Sequence, residues 1–249
     1  MNIGAVLIGD ELMSGKREDA HFAHLQQVLA KRGLELSWTL MVGDDADQLE
    51  RALEFSMSSD ALVFCFGGIG ATPDDRTRQT AAKVSQQNLI RHPEAVALIE
   101  QQYGEAAYPK RILMGELPEH STIIPNVINN VPGFSLGDHH FMPGFPEMSW
   151  PMVEWVLDTV YPDVKNLAPD SEQIIFVYQA RESDLLFIMR QIVQDYPKLR
   201  LSSLPHLGSN TYIEMSLRGN TEDVEDAMQL LKSTIESLGY TWADQLTDK

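Results

Sequence analysis

Residues 61–75 run Ala61-Leu62-Val63-Phe64-Cys65-Phe66-Gly67-Gly68-Ile69-Gly70-Ala71-Thr72-Pro73-Asp74-Asp75, and the rest of the chain is organised around them. The apolar run that opens the segment is typical of a strand covered on both faces. The glycines that follow allow positive φ and let a ligand approach the backbone closely. A helix is predicted next, over Thr77 to Gln87. This order is how α/β proteins build anion sites, because unpaired N–H groups and the helix dipole face the ligand.

Two carboxylates, Asp74 and Asp75, follow the glycine loop. Beside an anion site they indicate either a bridging cation such as Mg²⁺ or stabilisation of the helix N-terminus. Taken alone, the stretch favours structure over catalysis, since a glycine turn with an aspartate cap is common. Two phosphate-binding motifs do not fit. Pro73 replaces the third glycine of the dinucleotide fingerprint, and Arg17 follows Lys16 where a P-loop has Ser or Thr.

Composition limits the classes of protein that this chain can represent. Its 249 residues are 43% hydrophobic and 22% charged, which predicts a soluble globular protein with one large domain or one domain plus a small one. The formal net charge of -17 argues against nonspecific binding to nucleic acid or anionic membranes. Without a signal peptide or a membrane-spanning apolar stretch, we expect a cytoplasmic protein. The single cysteine, Cys65, is expected to pack in the core.

Strands and helices alternate through the first part of the chain, which predicts a mostly parallel sheet with right-handed crossovers. Strands are predicted over Ile3–Ile8, Leu34–Val42, 61–66, Thr122–Asn126, Val131–Phe134 and His140–Met142, with a mixed segment over Pro109–Ser121. Helices are predicted over Asp19–Arg32, Ala46–Ser58, Thr77–Gln87, Pro93–Gln102 and from near Pro146 to about Asp158. In the first helix, core spacing selects Phe22, Leu25, Val28 and Leu29. His139 and His140 lack partners at metal-ligand spacing, so we expect them on the surface.

A polar, proline-bearing linker is predicted over 161–170, and the pattern changes after it. Strands are predicted over Ile174–Tyr178, Leu199–Ser203, Tyr212–Arg218 and Tyr240–Trp242, helices over Glu182–Asp195 and Thr221–Leu238, and a turn over Leu204–Asn210. This β-α-β-β-α-β order predicts a ferredoxin-like unit. We therefore expect two domains, 1–162 and 172–249, the second serving association or positioning.

Linked motifs in one order resemble the CinA family, whose first domain has the MoaB/Mog-type molybdopterin-binding fold. They are Gly9-Asp10-Glu11-Leu12 with Gly15, Val42-Gly43-Asp44-Asp45, Gly67-Gly68-Ile69-Gly70 with Thr72-Pro73-Asp74-Asp75, and Pro143-Gly144-Phe145-Pro146-Glu147-Met148. The resemblance covers about residues 1–160, and 181–185 resemble the start of the family's small second domain. It implies an α/β, three-layer, mostly parallel MoaB/Mog-like sheet followed by a small α+β domain.

Two positions depart from the family pattern. Phe66 stands where the family usually has a threonine, which removes one hydroxyl that could bind the ligand, and Ala71 stands where it usually has a proline. The nucleotide deamidase domain of longer family members is not expected in this chain.

The resemblance implies a pocket for a phosphorylated pterin such as molybdopterin, or for a nucleotide diphosphate. In an open parallel sheet such a pocket lies at the carboxyl ends of the strands, where the motif loops are placed. Implied catalytic residues are Asp44, Asp74 and Asp75. Implied ligand-binding residues are Gly9, Asp10, Glu11, Gly67, Gly68, Gly70, Thr72, Pro143, Gly144 and Glu147. A divalent metal, Mg²⁺ or similar, is expected on Asp10, Asp44 and Asp75.

Three functions are compatible with these residues. A metal-dependent pyrophosphatase acting on an ADP-ribose-type nucleotide ranks first, because CinA-like motifs outnumber features special to the transferases. The alternatives are a molybdopterin adenylyltransferase of molybdenum cofactor biosynthesis and a binding module without chemistry, which Phe66 and Ala71 favour. We expect a homodimer or another homo-oligomer.

Overall fold

The computed structural model describes residues 2–165, 170–206 and 211–246. The chain divides into two compact units, Met1–Leu167 and Ala168–Lys249, and each has its own main sheet. Part of the predicted linker, residues 166–169, and part of the predicted turn, residues 207–210, lie outside the described residues. No helix in the described part of the chain is long and apolar enough to cross a membrane.

The first unit is built on a six-stranded sheet in the order β2-β1-β3-β8-β7-β6. Its strands are β1 (Ile3–Ile8), β2 (Trp38–Val42), β3 (Leu62–Phe66), β6 (Thr122–Ile124), β7 (Gly133–Leu136) and β8 (His139–Met142). Strands β2, β1, β3 and β8 run parallel, whereas β7 and β6 are antiparallel to their neighbours. The predicted mostly parallel sheet is therefore confirmed. A separate antiparallel pair joins β4 (Leu89–Arg91) to β5 (Glu116–Pro118).

Helices cover both faces of this sheet and make three layers. They are α1 (Asp10–Met13), α2 (His21–Ala30), α3 (Ala46–Met57), α4 (Thr77–Val84), α5 (Pro93–Tyr103) and α6 (Pro146–Thr159). One core cluster joins α2 and α6 to one sheet face, and the other joins α3 and α4 to the opposite face. Cys65 is fully enclosed in the second cluster, as expected. Alternate residues of β1 and β3 point to opposite clusters, which explains their uninterrupted apolar sequences.

The connections reverse direction between β1 and β3. From β1 the chain crosses to β2 on one side and then returns to β3 on the other side. The loops after β1 and β3 therefore diverge and leave a crevice at the carboxyl ends of these strands. This is the place where open α/β sheets bind ligands.

The prediction that His139 and His140 lie on the surface is wrong. Both belong to β8 inside the sheet, with exposed fractions of 6% and 0%. His139 bonds Ser56 Oγ at 2.9 Å, and His140 bonds Ser135 Oγ at 2.8 Å. Because burial disfavours the charged imidazolium, it lowers the pKa of His140 to about 3.

Several element boundaries also differ from the prediction. Phe22 is 40% exposed, because α2 turns His21 inward at the position that starts the stripe containing Leu25, Val28 and Leu29. Strand β2 begins at Trp38, where the parallel register with Gly4 begins, so residues 34–37 are not part of the strand. The short pair β4–β5 was not predicted, since three-residue strands carry little periodicity.

The second unit has the predicted β-α-β-β-α-β order. It contains β9 (Ser171–Tyr178), α7 (Glu182–Asp195), β10 (Arg200–His206), β11 (Tyr212–Gly219), α8 (Thr221–Ser237) and β12 (Thr241–Ala243). The sheet is antiparallel, in the order β10-β11-β9-β12, which is the ferredoxin-like arrangement. The predicted stripe of α8 is buried against it, namely Val224, Met228, Leu231 and Ile235.

Candidate functional site

A cavity of about 420 Å³ opens at the crevice between the loops that follow β1, β3 and β8. Its size falls in the range of about 300–1,000 Å³ that is typical of small-molecule sites. Most of the predicted site residues line it, namely Gly9, Glu11, Asp44, Gly67, Gly68, Gly70, Thr72, Asp74, Asp75, Pro143 and Gly144. Two predicted residues, Asp10 and Glu147, do not line it. Glu147 is exposed in the first turn of α6, where a carboxylate stabilises the helix dipole.

The glycine loop after β3 is shaped by its contacts with α4. Gly67 and Gly68 have φ values of +105° and +68°, which favour glycine. A Cβ on Gly67 would overlap the Ile8 carbonyl, and one on Gly68 would overlap Thr77 Oγ1. Thr77 holds both glycine carbonyls, because its hydroxyl donates to Gly67 O and its N–H to Gly68 O, each at 2.9 Å. The loop is therefore fixed before any ligand arrives.

Backbone donors are left over in this loop. The Gly67 N–H donates to Met142 O at 3.0 Å. In contrast, the N–H groups of Gly68, Ile69 and Gly70 have no hydrogen-bond acceptor among residues 2–165, 170–206 and 211–246. These residues line the cavity. Consecutive free amides are suited to phosphate or carboxylate oxygens.

A buried arginine braces the far end of the loop. Arg78, which is 3% exposed, donates from Nη2 to Gly70 O at 2.6 Å. Its Nη1 donates to Leu113 O at 2.6 Å and to Glu116 O at 2.8 Å. The guanidinium group thus joins the glycine loop to a second wall of the cavity, which contains Met114.

Asp10 and Asp44 join the loops after β1 and β2. The Asp10 N–H donates to Asp44 Oδ2 at 2.9 Å, and the Asp44 N–H donates to Asp10 Oδ1 at 3.0 Å. The predicted metal ligand Asp10 thus has one oxygen engaged in shaping the loops. The other oxygen of each carboxylate takes no part in this exchange.

Negative charge converges on Asp44. Partial burial raises the pKa of its carboxyl group, and although the bond from Asp10 lowers it, the nearby charges of Asp10, Glu11 and Asp74 raise it further. Asp44, Glu11 and Asp74 all line the cavity. A cation at this end of the cavity would relieve the repulsion.

Asp75 shapes the turn that carries Asp74. Its Oδ2 accepts from the Thr72 N–H at 2.9 Å and from the Thr72 hydroxyl at 2.5 Å, while its N–H donates to Thr72 O at 3.0 Å. Asp74, by contrast, is exposed. The Thr72 hydroxyl also lowers the pKa of the Asp74 carboxyl group, so this carboxylate is charged at the exposed rim of the cavity. The geometry therefore gives Asp75 a structural task and leaves Asp74 the more accessible of the two carboxylates.

The carboxylates suit a hard cation that is shared with a ligand. Among the described residues, no group of three or more His, Cys, Asp and Glu side chains is arranged to hold a metal ion. Mg²⁺ in nucleotide sites is bound by one or two carboxylates, with phosphate and water oxygens completing its shell. Asp44 and Asp74 match that incomplete donor set.

A comparison with protein-family models finds one match in this unit. Residues 4–163 match the family described as "probable molybdopterin binding domain". The match spans more than half of the chain and contains every strand and loop of the cavity. The chain belongs to this molybdopterin-binding domain family.

Relatives of this molybdopterin-binding domain protein carry the name that the motifs suggested. A CinA-like protein of Syntrophotalea carbinolica is 31% identical over 190 residues, which are 73% of this chain and 46% of the relative. Another, of Desulforapulum autotrophicum, is 29% identical over 252 residues, 94% of this chain and 60% of the relative. The chain spans about half the length of such relatives.

A solved structure supports the fold. CinA of Thermoplasma acidophilum, whose function is described as unknown, superposes with a TM-score of 0.57 and 28% identity. The match covers 63% of this chain and 96% of that protein. The resemblance to CinA-type proteins is thereby confirmed. The MoaB/Mog-like fold class is confirmed by the match to the molybdopterin-binding family model together with the mostly parallel sheet of the first unit.

Several residues that line the cavity of this molybdopterin-binding domain protein were not predicted as site residues. Arg17 contributes positive charge at the rim, with its guanidinium carbon 6.0 Å from the centre of the Phe145 ring. The remaining lining is mostly apolar or amide-bearing, and consists of Ile8, Ile69, Tyr103, Met114, Asn126, Asn129, Val131, Phe145 and Met148. Ile69, Phe145 and Met148 belong to the motifs quoted above. The others come from segments that are distant in sequence and carry no motif, so only the tertiary structure identifies them.

Phe66 does not belong to the lining. It is 2% exposed and lies behind the cavity, with its ring stacked on His21. The departure from the family threonine at this position therefore changes the layer beneath the cavity. The cavity wall itself is made by other residues.

Proposed function

We propose that this chain hydrolyses the pyrophosphate bond of an ADP-ribose-type nucleotide with the help of a divalent cation. One observation carries the proposal. Residues 68–70, whose N–H groups have no acceptor in the described part of the chain, line the same cavity as Asp44 and Asp74. Amides bind phosphate oxygens, and carboxylates bind the cation that offsets the ligand's charge in so acidic a site.

The rest of the cavity suits the organic part of such a ligand. Tyr103, Met114 and Phe145 offer apolar surface. Asn129 offers the N–H groups of its amide, since its side-chain oxygen already accepts from Asn126 and Val131. Flat heterocycles bind between apolar side chains and take their orientation from a few polar groups. A purine and a pterin both meet this description, so the substrate is to be identified by assay.

The chain's own residues supply the elements of an in-line displacement. A water molecule forms a bond through its oxygen to one phosphorus while the bridging P–O bond breaks, and the proton that the water loses passes to the leaving phosphate group. For ADP-ribose the products are AMP and ribose 5-phosphate. Asp44, on which negative charge converges, serves as a ligand of the cation. A bound divalent cation would neutralise charge on the phosphate oxygens, held by Asp44 and Asp74.

The test is a turnover assay on the full chain. Purified protein is incubated with ADP-ribose, with and without Mg²⁺, and the products are separated by chromatography. We expect AMP and ribose 5-phosphate only when Mg²⁺ is present. Asp74→Asn should lower the rate by at least about tenfold, whereas Asp47→Asn, in the exposed first turn of α3, should not. No turnover in the wild type would contradict the proposal.

A second candidate is adenylyl transfer to molybdopterin, and membership of the molybdopterin-binding domain family favours it. It uses the same cavity and cation but replaces water with a phosphate group of the pterin as the nucleophile. Incubation with ATP, molybdopterin and Mg²⁺ distinguishes the two functions. Release of pyrophosphate that depends on molybdopterin would support transfer, and hydrolysis of ADP-ribose would support the pyrophosphatase.

A further inference from the structure

We infer that His21 is a positioning residue that holds the Gly144–Phe145 wall of the cavity in place. The inference rests on the proposed function, because it assumes that this cavity binds the ligand. His21 is 5% exposed and does not line the cavity. It therefore acts on the site through the backbone that it holds, without touching a ligand.

The position of His21 is fixed at the start of α2. The carboxylate of Asp19 accepts from the His21 N–H at 3.0 Å and from the Phe22 N–H at 2.9 Å. The imidazole ring lies flat on Phe66, with ring centres 4.4 Å apart and an angle of 14° between the planes. Capping and stacking together leave the ring little freedom to rotate.

The ring is bonded to the cavity wall through both nitrogens. Nε2 lies 3.2 Å from Gly144 O, and Nδ1 lies 3.4 Å from Ser149 Oγ. A carbonyl oxygen can only accept, so Nε2 carries the proton. Ser149 Oγ in turn lies 3.1 Å from Phe145 O. One imidazole thus reaches both consecutive carbonyls of the wall, the first directly and the second through a hydroxyl.

The wall lies beside the glycine loop. A Cβ added to Gly144 would lie 3.4 Å from Gly67 Cα, so the two backbones are separated by about the width of one methyl group. Gly67 is tied to Met142 O at the end of β8. His21 holds the same wall from behind. Loss of its hydrogen bond would let Gly144 and Phe145, which line the cavity, move away from the amides that receive the phosphate.

His21 remains neutral in this role. Burial lowers its pKa, although the bond to Gly144 and the charge of Asp19 raise it in part. The adjacent His24 is a second imidazole near it on the same helix, and His24 also has a pKa lowered by burial. A donor that stays uncharged can hold a carbonyl without adding charge beneath the phosphate site.

The test compares variants of similar size at two histidines. His21→Leu fills the space but cannot donate, whereas His21→Gln places an amide N–H near the position of Nε2. The matched control is His24→Leu. His24 stacks on Trp150 with ring centres 4.1 Å apart, its Nε2 has no hydrogen-bond partner among the described residues, and it does not line the cavity.

Two measurements are made on the full chain of each variant. The first is hydrogen–deuterium exchange of the peptide that spans residues 143–149, without ligand. The second is the Kd, by calorimetry with Mg²⁺, for a methylene analogue of ADP-ribose, in which a methylene group replaces the bridging pyrophosphate oxygen so that the ligand is not hydrolysed during the titration. We expect His21→Leu to speed exchange in this peptide and to weaken binding by about tenfold, the loss typical of one buried hydrogen bond. His21→Gln should restore most of both, and His24→Leu should change neither.

The outcomes separate this inference from the proposed function. If the wild type does not bind this analogue, the proposed function fails, and exchange alone still tests whether His21 holds the wall. If exchange and affinity in His21→Leu equal those of the wild type, the inference is wrong. It is also wrong if His21→Gln behaves like His21→Leu, because that would assign the effect to the lost stacking and packing.

Discussion

The Asp44 carboxylate has two features, a hydrogen bond that shapes a loop and a position close to other negative charges. It accepts from the Asp10 N–H, and partial burial together with the charges of Asp10, Glu11 and Asp74 raises its pKa. Ionisation of Asp44 therefore costs more free energy in the folded chain than in the unfolded chain, which lowers the stability of the fold at neutral pH. A bound cation would offset this repulsion, so we expect Asp44 to be a cation ligand, and a substitution tests it.

Asp44→Asn should separate stability from cation binding. The amide keeps an acceptor for the Asp10 N–H and removes the charge, so we expect a melting temperature that is equal to or higher than that of the wild type. Mg²⁺ added with ADP-ribose should raise the melting temperature of the wild type and have a much smaller effect on the variant. Differential scanning fluorimetry measures both. A variant that melts far lower without ligand would assign Asp44 a purely structural role.

His140 makes the stability of the fold depend on pH. Its pKa is about 3 in the folded chain, against 6.5 for an unperturbed histidine, so the folded state excludes a proton that the unfolded state binds. This contribution to stability is fully present above pH 6.5 and is lost as the pH falls toward 3. Between pH 6 and 5 the free energy of unfolding should fall by about 1.2 kcal/mol on account of His140 alone.

Urea unfolding at pH 7, 6 and 5 measures this slope. In His140→Gln, unfolding should take up about one proton fewer, so the slope should be smaller. This holds whatever effect the substitution has on stability at pH 7. His120→Gln is the control, since His120 is exposed in the turn between β5 and β6. Parallel curves for the wild type and His140→Gln would show that His140 does not govern the acid sensitivity.

At the scale of single residues, the sequence predicted the loop residues and did not predict the buried contacts between side chains. The glycines and carboxylates of the loops were found because their chemistry is local. His139 and His140 were assigned to the surface since no sequence spacing revealed Ser56, Ser135 or Tyr161 as their partners. Phe66 was read as a lost ligand contact, yet its side chain faces His21. Such pairings join residues that only the fold brings together.

At the scale of elements, a side chain added to the glycine loop would cost free energy in two ways, through the positive φ and through overlap with neighbouring atoms. Gly68 has φ +68° and no room for a Cβ beside Thr77 Oγ1, whereas Gly15 has φ +70° and open space. Gly15→Ala should cost about 1–2 kcal/mol for the backbone conformation alone. Gly68→Ala should cost a further 1–3 kcal/mol, because the overlap must also be relieved.

Chemical denaturation of both variants measures the difference. Calorimetry with the methylene analogue of ADP-ribose and Mg²⁺ should show weaker binding only for Gly68→Ala, since Gly15 does not line the cavity. Equal stability losses would mean that the loop yields to the added methyl group. Equal binding in both variants would mean that the loop does not receive the phosphates.

The type and order of most elements could be predicted, because their periodicity is strong and their ends carry turn residues. Helix α7 was predicted at Glu182–Asp195, the range that the structure shows. The failures are short or marginal elements, such as β4 and the start of β2. Their boundaries are set by a partner strand, and sequence patterns contain no information on that partner.

At the scale of the whole molecule, each unit has a core made of its own residues. The three clusters of buried apolar residues in the first unit extend to Leu157, and the cluster of the second unit begins at Ile175. A chain that ends at Asp170 should therefore fold and melt cooperatively, and it should bind the methylene analogue of ADP-ribose with Mg²⁺ within about threefold of the full chain. Circular dichroism and calorimetry test this. An intact fold without binding would show that the second unit contributes to the site.

Self-association remains a proposal, and the same truncation tests it. We propose that the ferredoxin-like unit mediates association into a homodimer. Light scattering should then show a dimer for the full chain and a monomer for the chain that ends at Asp170. A truncated chain that is still dimeric would assign association to the first unit.

The place of β8 in the sheet has a consequence for the order of folding. Cavity walls follow β1, β3 and β8, and β8 pairs with β3 only after the chain has passed through α4, α5 and the strands between them. Strands β1 to β3 can associate while later residues are still being synthesised, but their crevice then lacks the wall at Gly144. A ligand that needs all three walls recognises only the finished sheet. Such a ligand therefore does not speed folding. It slows the unfolding of molecules that have already folded.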